Sequence, residues 1–180
     1  EYEIYLLENK KGAEPVQLTS GSLAWKYSSD WSPDSKYLVY FDRTLKLKLV
    51  HVDTKNEIPV DKAEDSEIRD YSFSPDSKWI VYSKESSNGQ PSVWVYNIPE
   101  AKAYQLTDHT FSDYSPVFSE DGHYIFFLSN RDFNLSFSSF EFDYLYSNAT
   151  RIYAMILKAD GPELFKDKND VEPVKEENSD

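Results

Sequence analysis

A ten-residue phrase occurs three times in this chain at a nearly constant spacing. Residues 31–40 read WSPDSKYLVY, residues 73–82 read FSPDSKWIVY, and residues 118–127 read FSEDGHYIFF. The copies begin 42 and 45 residues apart, and a period of about 40–45 residues is the length of one four-stranded propeller blade. The repeat therefore predicts a series of similar blades, and it limits the fold before any other residue is considered.

Each copy joins a turn to a short apolar run. In Ser-Pro-Asp, the proline presets φ and the aspartate side chain can bond the backbone two residues further on. The runs that follow, residues 37–41, 79–82 and 124–128, are rich in aromatic and β-branched residues. This pattern is typical of strands that are covered on both faces, as when blade packs on blade. Two turns carry Ser35 and Ser77 at a position where glycine would accept positive φ more easily.

Further strand-like segments recur at matching places in each repeat. Third strands are predicted at residues 3–7, 45–49, 93–96 and 151–156, and fourth strands at 17–19, 58–60, 105–107 and 163–165. The chain then comprises the last two strands of one blade followed by three whole blades. The expected fold is all-β: a β-propeller arc of four-stranded antiparallel blades, about three and a half blades of a larger ring.

Two regions depart from the repeat and define the predicted domain organisation. Residues 1–165 form the propeller blades, and residues 166–180 read as an acidic disordered linker because they are dense in charge. Residues 132–149 interrupt the last blade between its second and third strands. This insertion is rich in aromatic residues, which either fold back onto their own blade or form a contact surface. The possible interface residues are Phe133, Phe137, Phe140, Phe142, Tyr144 and Tyr146.

The net charge of −13 excludes several kinds of partner. Phosphates of nucleic acid and anionic membrane surfaces would be repelled, so neither is expected as a partner. The absence of cysteine rules out a disulfide framework and a thiolate metal site. It does not decide between cytoplasm and periplasm, and we find no signal peptide or membrane-spanning segment in the sequence.

The remaining polar residues predict neither a catalytic site nor a cofactor or metal site. His51, His109 and His123 lack the short spacing that brings two ligands to one metal. No Gly-x-Ser-x-Gly elbow or glycine-rich phosphate loop is present in the sequence. Arg131 could bind a carboxylate or form a structural ion pair between neighbouring loops.

One aspartate recurs in each repeat, at Asp34, Asp76 and Asp121. The spacing raises the question of repeated calcium sites. We expect instead that each aspartate caps its own turn, and that the turns lie far apart around a ring.

The Ser-Pro-Asp-Ser-Lys phrases, together with Gln-Leu-Thr at residues 17–19 and 105–107, resemble the propeller repeats of the tricorn protease and TolB families. Dipeptidyl-peptidase propellers use similar turns. Residues 114–119 (YSPVFS) and 127–134 (FLSNRDFN), the aromatic insertion and the acidic Lys-rich tail are similar to tricorn-type peptidases in particular. The resemblance extends over nearly the whole chain.

That resemblance implies a function for the parent protein rather than for this segment alone. It implies a serine peptidase, in the cytoplasm by resemblance, whose propellers filter peptides or unfolded polypeptides and conduct them to a separate catalytic domain. No residue of this chain matches the catalytic motif of that family. The alternative from another class is a TolB-like, non-enzymatic protein-binding propeller, and periplasmic location is the corresponding alternative. Exposed terminal blades further predict self-association of the chain.

Overall fold

The computed structural model describes residues 2–132, 135–137, 144–146 and 149–165. Within these ranges every regular element is a β-strand, so no helix that could cross a membrane is found among them. The strands are, in chain order, β1 (Tyr5–Leu6), β2 (Val16–Gln17), β3 (Lys26–Trp31), β4 (Tyr37–Asp42), β5 (Lys46–His51), β6 (Glu57–Lys62), β7 (Tyr71–Phe73), β8 (Trp79–Glu85), β9 (Pro91–Asn97), β10 (Lys102–Gln105), β11 (Asp113–Phe118), β12 (Tyr124–Ser129), β13 (Leu135–Phe137), β14 (Tyr144–Tyr146) and β15 (Arg151–Ile156).

The strands form antiparallel sheets that follow the sequence repeat. Blade 1 is the pair β1–β2, blade 2 is β3–β4–β5–β6, blade 3 is β7–β8–β9–β10, and blade 4 is β11–β12–β15. Among the described residues, strands β13 and β14 pair only with each other. The predicted all-β arc of antiparallel blades is thereby confirmed, and the sheets do not close into a ring within the described part of the chain.

Alternate residues of each central strand pack against different neighbouring blades. In β4, Leu38 and Tyr40 pack against blade 1, whereas Val39 and Phe41 pack against blade 3. In the next blade, Val81 faces blade 4. Because side chains alternate across a strand, an unbroken apolar run can cover both faces of a blade, and this is why the runs contain no polar residue in their middle.

The three repeat turns have the same hydrogen-bonding pattern. Ser32 Oγ donates to Asp34 Oδ1 at 2.7 Å and accepts from the backbone N–H of Tyr37 at 2.9 Å. The equivalent serine-to-aspartate bonds in the other turns are both 2.6 Å long. Each aspartate also accepts a bond from the backbone N–H two residues further on, at 3.0 or 3.1 Å, so the predicted capping role is confirmed. Positive φ is also present where expected, at 60° for Ser35 and 59° for Ser77.

The expectation that these turns lie far apart is wrong. The backbone N–H of Asp34 donates to Ser77 Oγ at 3.0 Å, which joins the turn of blade 2 to that of blade 3. A Cβ added to Gly122 would lie 3.9 Å from Pro75, so the turns of blades 3 and 4 are also close. Neighbouring turns meet because the blades pack face to face. Even so, the described residues contain no group of three or more histidines or acidic residues that could hold a metal ion.

Blade 4 differs from the sequence prediction at its outer edge. Residues 163–165 do not form its fourth strand, and Phe165 is 85% exposed. The edge of β15 that faces away from β12 is consequently unpaired in the described part of the chain. Next to it, a groove of about 740 Å³ separates blades 3 and 4, with Trp79 and Tyr104 on the blade 3 side.

Candidate functional site

Two kinds of connection lie at the same end of the blades and form a surface that we call the loop face. The loops at residues 43–45, 86–90 and 130–150 join second strands to third strands, and those at 63–70 and 106–112 join consecutive blades. Because neighbouring strands are antiparallel, all of these connections lie at one end of the sheets. The Ser-Pro-Asp turns lie at the opposite end, which we call the turn face.

The aromatic insertion belongs to the loop face. It connects β12 to β15, as the sequence predicts, and contains the β13–β14 hairpin in which Phe137 pairs with Tyr144 and Leu135 pairs with Tyr146. Three of the predicted interface residues lie outside the described residues: Phe133, Phe140 and Phe142. The topology thus places the insertion on the side of the molecule where the interblade loops meet.

Arg131 forms the structural ion pair that is one of the two alternatives from the sequence. Its Nη2 atom donates to both carboxylate oxygens of Asp113, at 2.9 and 2.8 Å, and its Nε donates to Ser129 Oγ at 2.8 Å. The guanidinium also lies 4.6 Å from the ring centroid of Tyr153. The partner, Asp113, is only 1% exposed and starts β11 of the same blade. Arg131 therefore joins neighbouring strands of blade 4, and its Nε and Nη2 atoms are used within the blade.

A recess lined by charged and aromatic residues lies on the loop face between blades 2 and 3. Two adjoining cavities, of about 530 and 420 Å³, share Arg43, Glu67 and Arg69 in their walls. Arg69 donates to Glu67 from Nε at 3.0 Å and from Nη2 at 2.5 Å. Tyr27 and Phe41 stack with their ring centroids 5.1 Å apart at the inner side of the recess. Because Asp65 and Glu67 balance the charges of Arg43 and Arg69, the recess as a whole is close to neutral.

A polar cavity of about 460 Å³ lies on the loop face between blades 3 and 4. We call it the carboxamide pocket because Asn88, Gln90 and Asn130 line it. Its other lining residues come from the loop before β11 and from the end of the insertion: His109, Thr110, Phe111, Ser112, Ala149 and Thr150. The walls therefore combine hydrogen-bonding groups with one aromatic ring, and the insertion contributes part of them.

The structure also brings together a serine and a histidine that sequence reasoning does not connect. Ser86 Oγ lies 2.5 Å from His109 Nδ1; Ser86 is half-buried and His109 is exposed. The second ring nitrogen of His109 lies 3.4 Å from Gln105 Nε2. No carboxylate hydrogen-bonds to this imidazole in the described part of the chain, so the pair lacks the third group that orients a catalytic histidine. No signal in the sequence indicates this contact, because the two residues are 23 positions apart.

The histidines do not converge. His51 lies edge-on to Tyr37 in blade 2, with ring centroids 4.9 Å apart. His123 lies in the turn of blade 4, where its backbone N–H donates to Asp121 Oδ1 at 3.0 Å. These positions belong to different blades, away from His109 in the loop face, as the absence of a metal-ligand spacing in the sequence indicates.

Hydrogen bonds also determine the electrostatics of the turn face. The hydroxyl of Ser32 holds the pKa of Asp34 below its usual value, and the hydroxyl of Ser119 does the same for Asp121. For Asp76, burial acts to raise the pKa, but hydrogen bonds from Ser74 and from the backbone outweigh it and the pKa is lowered. The turn face thus keeps one ionised carboxylate in each of the three turns at neutral pH.

The sheet order, the blade-to-blade packing and the repeat turns define a segment of a β-propeller. A family model described as "Tricorn protease second beta propeller domain" matches residues 1–180. The chain therefore belongs to the tricorn protease family, within that propeller domain.

Comparison with individual proteins agrees with this assignment. The chain is 31% identical over 153 residues to the tricorn protease of Thermoplasma volcanium. The aligned region covers 82% of this chain and 15% of that protein. It is 28% identical over 154 residues to tricorn protease homolog 1 of Streptomyces coelicolor, covering 86% of this chain and 14% of the relative. The chain thus spans only about one seventh of the length of these relatives.

Solved structures show the same fold. A crystal structure of the tricorn protease superimposes with a TM-score of 0.77 at 17% identity, over 84% of this chain and 15% of that one. TolB from Acinetobacter baumannii superimposes with a TM-score of 0.59 at 20% identity, over 83% of this chain and 33% of that one. The sequence-based recognition of the tricorn family, with TolB-like propellers as more distant relatives, is confirmed.

Proposed function

We propose that this chain is a non-catalytic propeller segment of a tricorn-like serine peptidase, and that it filters or channels peptides and unfolded polypeptides to a separate catalytic domain. The observation that carries the proposal is the match of residues 1–180 to the second propeller domain of tricorn proteases. A ring of blades around a narrow axis would admit an extended chain and exclude a folded protein by size.

The packing of the blades supports this role. Asp70, just before β7, accepts a hydrogen bond of 3.2 Å from the backbone N–H of Ser115 in β11, so the first strands of blades 3 and 4 are tied together. First strands are edge strands of their sheets, and they would face the axis of a ring. A rigid inner wall is what a size filter requires, because a wall that yielded would let folded domains pass.

The loop face supplies the contacts that we propose for the arriving polypeptide. It combines the aromatic insertion with a recess that contains both charged and aromatic residues and with a polar pocket between successive blades. Aromatic side chains bind unfolded polypeptides through apolar area, which such chains expose and folded proteins bury. The possible interface residues of the insertion are therefore proposed as substrate contacts.

The test uses the full-length parent protein with all six aromatic residues of the insertion replaced by serine. We expect the kcat/KM for unfolded casein to fall about tenfold or more, while cleavage of a short fluorogenic peptide stays unchanged, because a short peptide does not need to be gathered at the propeller. A control variant replaces the exposed Tyr2 and Tyr5 of blade 1 by serine. The channelling role would be contradicted if kcat/KM fell equally for both substrates, or if kcat/KM for casein did not fall.

The same experiment separates the alternative function. If the full-length protein cleaves neither casein nor short peptides, while the insertion still determines binding to another protein, a TolB-like binding propeller is the better description. The isolated 180-residue chain is expected to hydrolyse no peptide in either case. If the repurified chain hydrolyses peptides even in the presence of serine-peptidase inhibitors, the proposal that this segment is non-catalytic is wrong.

A further inference from the structure

We propose that the carboxamide pocket binds main-chain carbonyl groups of an extended polypeptide through the amide groups of Gln90 and Asn130. The inference rests on the proposed function and specifies which part of a polypeptide the loop face recognises. It concerns the pocket of about 460 Å³ between blades 3 and 4.

The hydrogen bonds around the pocket leave two amide donors without a partner. The Ser112 hydroxyl donates to Gln90 Oε1, and the Thr150 hydroxyl donates to Asn130 Oδ1 at 2.7 Å. The carbonyl end of each carboxamide is thereby occupied. Neither amide nitrogen, Gln90 Nε2 or Asn130 Nδ2, has a hydrogen-bond partner within the described ranges of the chain. Two donor groups are consequently left for a ligand that carries acceptors.

The third carboxamide fixes the wall of the pocket. Asn88 Oδ1 accepts from the backbone N–H of Gln90 at 3.1 Å, and Asn88 Nδ2 donates to the backbone carbonyl of His109 at 3.0 Å. Asn88 therefore ties the β8–β9 loop of blade 3 to the loop that leads into blade 4. The two hydrogen bonds of Asn88 hold Gln90 in place before a ligand arrives, and this lowers the entropy cost of binding.

Charge selects an uncharged acceptor over a carboxylate. The pocket is lined by no lysine or arginine among the residues described, and the nearby Arg131 is already bound to Asp113 and Ser129. With a net charge of −13 on the chain, a carboxylate would be repelled, and the pocket wall offers it no lysine or arginine as a partner. A peptide carbonyl needs only a donor, and it occurs in every residue of a substrate. Recognition of carbonyls would suit a site that must accept many sequences.

The position of the pocket fits an extended chain that also contacts the insertion. Asn130 precedes the insertion, and Ala149 and Thr150 are at its other end. Both ends of the insertion therefore lie at the wall of the pocket, beside the two donor groups. Phe111 adds an apolar wall to the same cavity.

The test follows the side-chain amide signals of the ¹⁵N-labelled 180-residue chain by NMR during titration with a glycine–serine–alanine peptide, acetylated and amidated at its ends. We expect the NH₂ signals of Gln90 and Asn130 to shift. The dissociation constant should rise about fivefold in each of Q90E and N130D, because a carboxylate cannot donate the lost hydrogen bond. Asn56→Asp is the matched control, since it makes the same change on the exposed turn face and should leave binding unaltered.

Acetate serves as a second probe that distinguishes carboxylates from main-chain carbonyls. The proposal is overturned if acetate moves both signals at concentrations where the capped peptide does not, or if Q90E and N130D bind the peptide as tightly as the unmodified chain. Absence of peptide binding to the unmodified chain also overturns it. If the peptide binds but moves only signals elsewhere, the pocket proposal fails while the proposed channelling function is unaffected.

Discussion

The hydroxyl of Tyr82 in blade 3 donates a 2.7 Å hydrogen bond to the Asp61 carboxylate in blade 2. The tyrosine side chain is fully buried, and Lys84 Nζ lies 2.7 Å from the same carboxylate oxygen. Burial, together with the neighbouring charge of Asp61, raises the pKa of Tyr82 well above its usual value. The two blades are thus linked by a polar contact at the edge of their shared apolar core.

Replacing Tyr82 by phenylalanine tests this link. The ring would still fill its site, but Asp61 would lose one donor, so we expect the free energy of unfolding to fall by about 1–2 kcal/mol. Urea denaturation measures the change. Tyr5→Phe is the control, because Tyr5 is 55% exposed and its hydroxyl has no partner among the described residues. Equal stability of the two variants would show that the interblade bond contributes nothing.

The two turn serines with positive φ provide a second test. Ser35 and Ser77 have nearly the same φ, but only Ser77 accepts a hydrogen bond from the neighbouring blade, at Asp34. Glycine relieves the left-handed strain at either position and adds flexibility to the unfolded chain. We therefore expect S77G to be less stable than S35G by about 1 kcal/mol, the contribution of the lost hydrogen bond. Thermal and urea unfolding of both variants would measure this difference, and a more stable S77G would contradict it.

The lowered pKa values of Asp34, Asp76 and Asp121 predict a pH dependence of stability. Each carboxylate is ionised in the folded protein at a pH where it is protonated in the unfolded chain. Its contribution is therefore complete above the unfolded pKa of about 4, and it is lost as the pH falls through the folded value.

We expect unfolding free energies measured between pH 5 and pH 3 to fall less steeply in a variant with asparagine at all three turn positions. Asn cannot titrate, so the turn contribution no longer changes with pH. The exposed Asp53 replaced by Asn is the control and should keep the full slope. A slope unchanged in the triple variant would show that these turns do not set the acid sensitivity.

The outer faces of the terminal blades lead to a proposal about self-association. Ile152 and Ile156 of β15 are 75% and 48% exposed on the side of blade 4 that faces away from blade 3, and Tyr5 and Leu7 are exposed on blade 1. Burial of a few hundred Å² of such surface contributes several kcal/mol at about 25 cal/mol per Å². We propose that the isolated chain self-associates through these faces, more strongly at high salt because salt screens its net charge.

Light scattering at low and high salt measures the association. Ile152→Asp should weaken it, whereas Leu23→Asp makes the same charge change at another exposed position and should have a smaller effect. A monomer that is insensitive to dilution in both salt conditions would contradict the proposal.

Local patterns in the sequence predict the positions of most strands. The repeat phrases predict strands that begin at Tyr37, Trp79 and Tyr124, and β4, β8 and β12 begin at those residues. Strand β15 has the predicted bounds, Arg151–Ile156. These features depend on turn chemistry and on apolar runs within about ten residues, and such interactions can be read without knowledge of the rest of the molecule.

The expected fourth strand of blade 4 shows where local patterns fail. Residues 163–165 have a suitable composition, but a strand exists only if its backbone groups find partners in a neighbouring strand. In the structure the chain turns away after β15, and Pro162 instead accepts a hydrogen bond from the hydroxyl of Tyr124. Pairing of this kind depends on the path of the chain and not on composition.

The class of fold, the number of repeats, the place of the insertion and the family of the chain can all be read from the amino-acid sequence. Three contacts become visible only when the blades are packed together: neighbouring turns touch, Ser86 meets His109, and Gln90 and Asn130 line one pocket. These contacts join residues that are 20 to 45 positions apart and lie on different blades or on the loop between two blades. They exist because apolar packing sets the distance and angle between the blades, and no pattern within a single repeat encodes which polar groups that packing brings together.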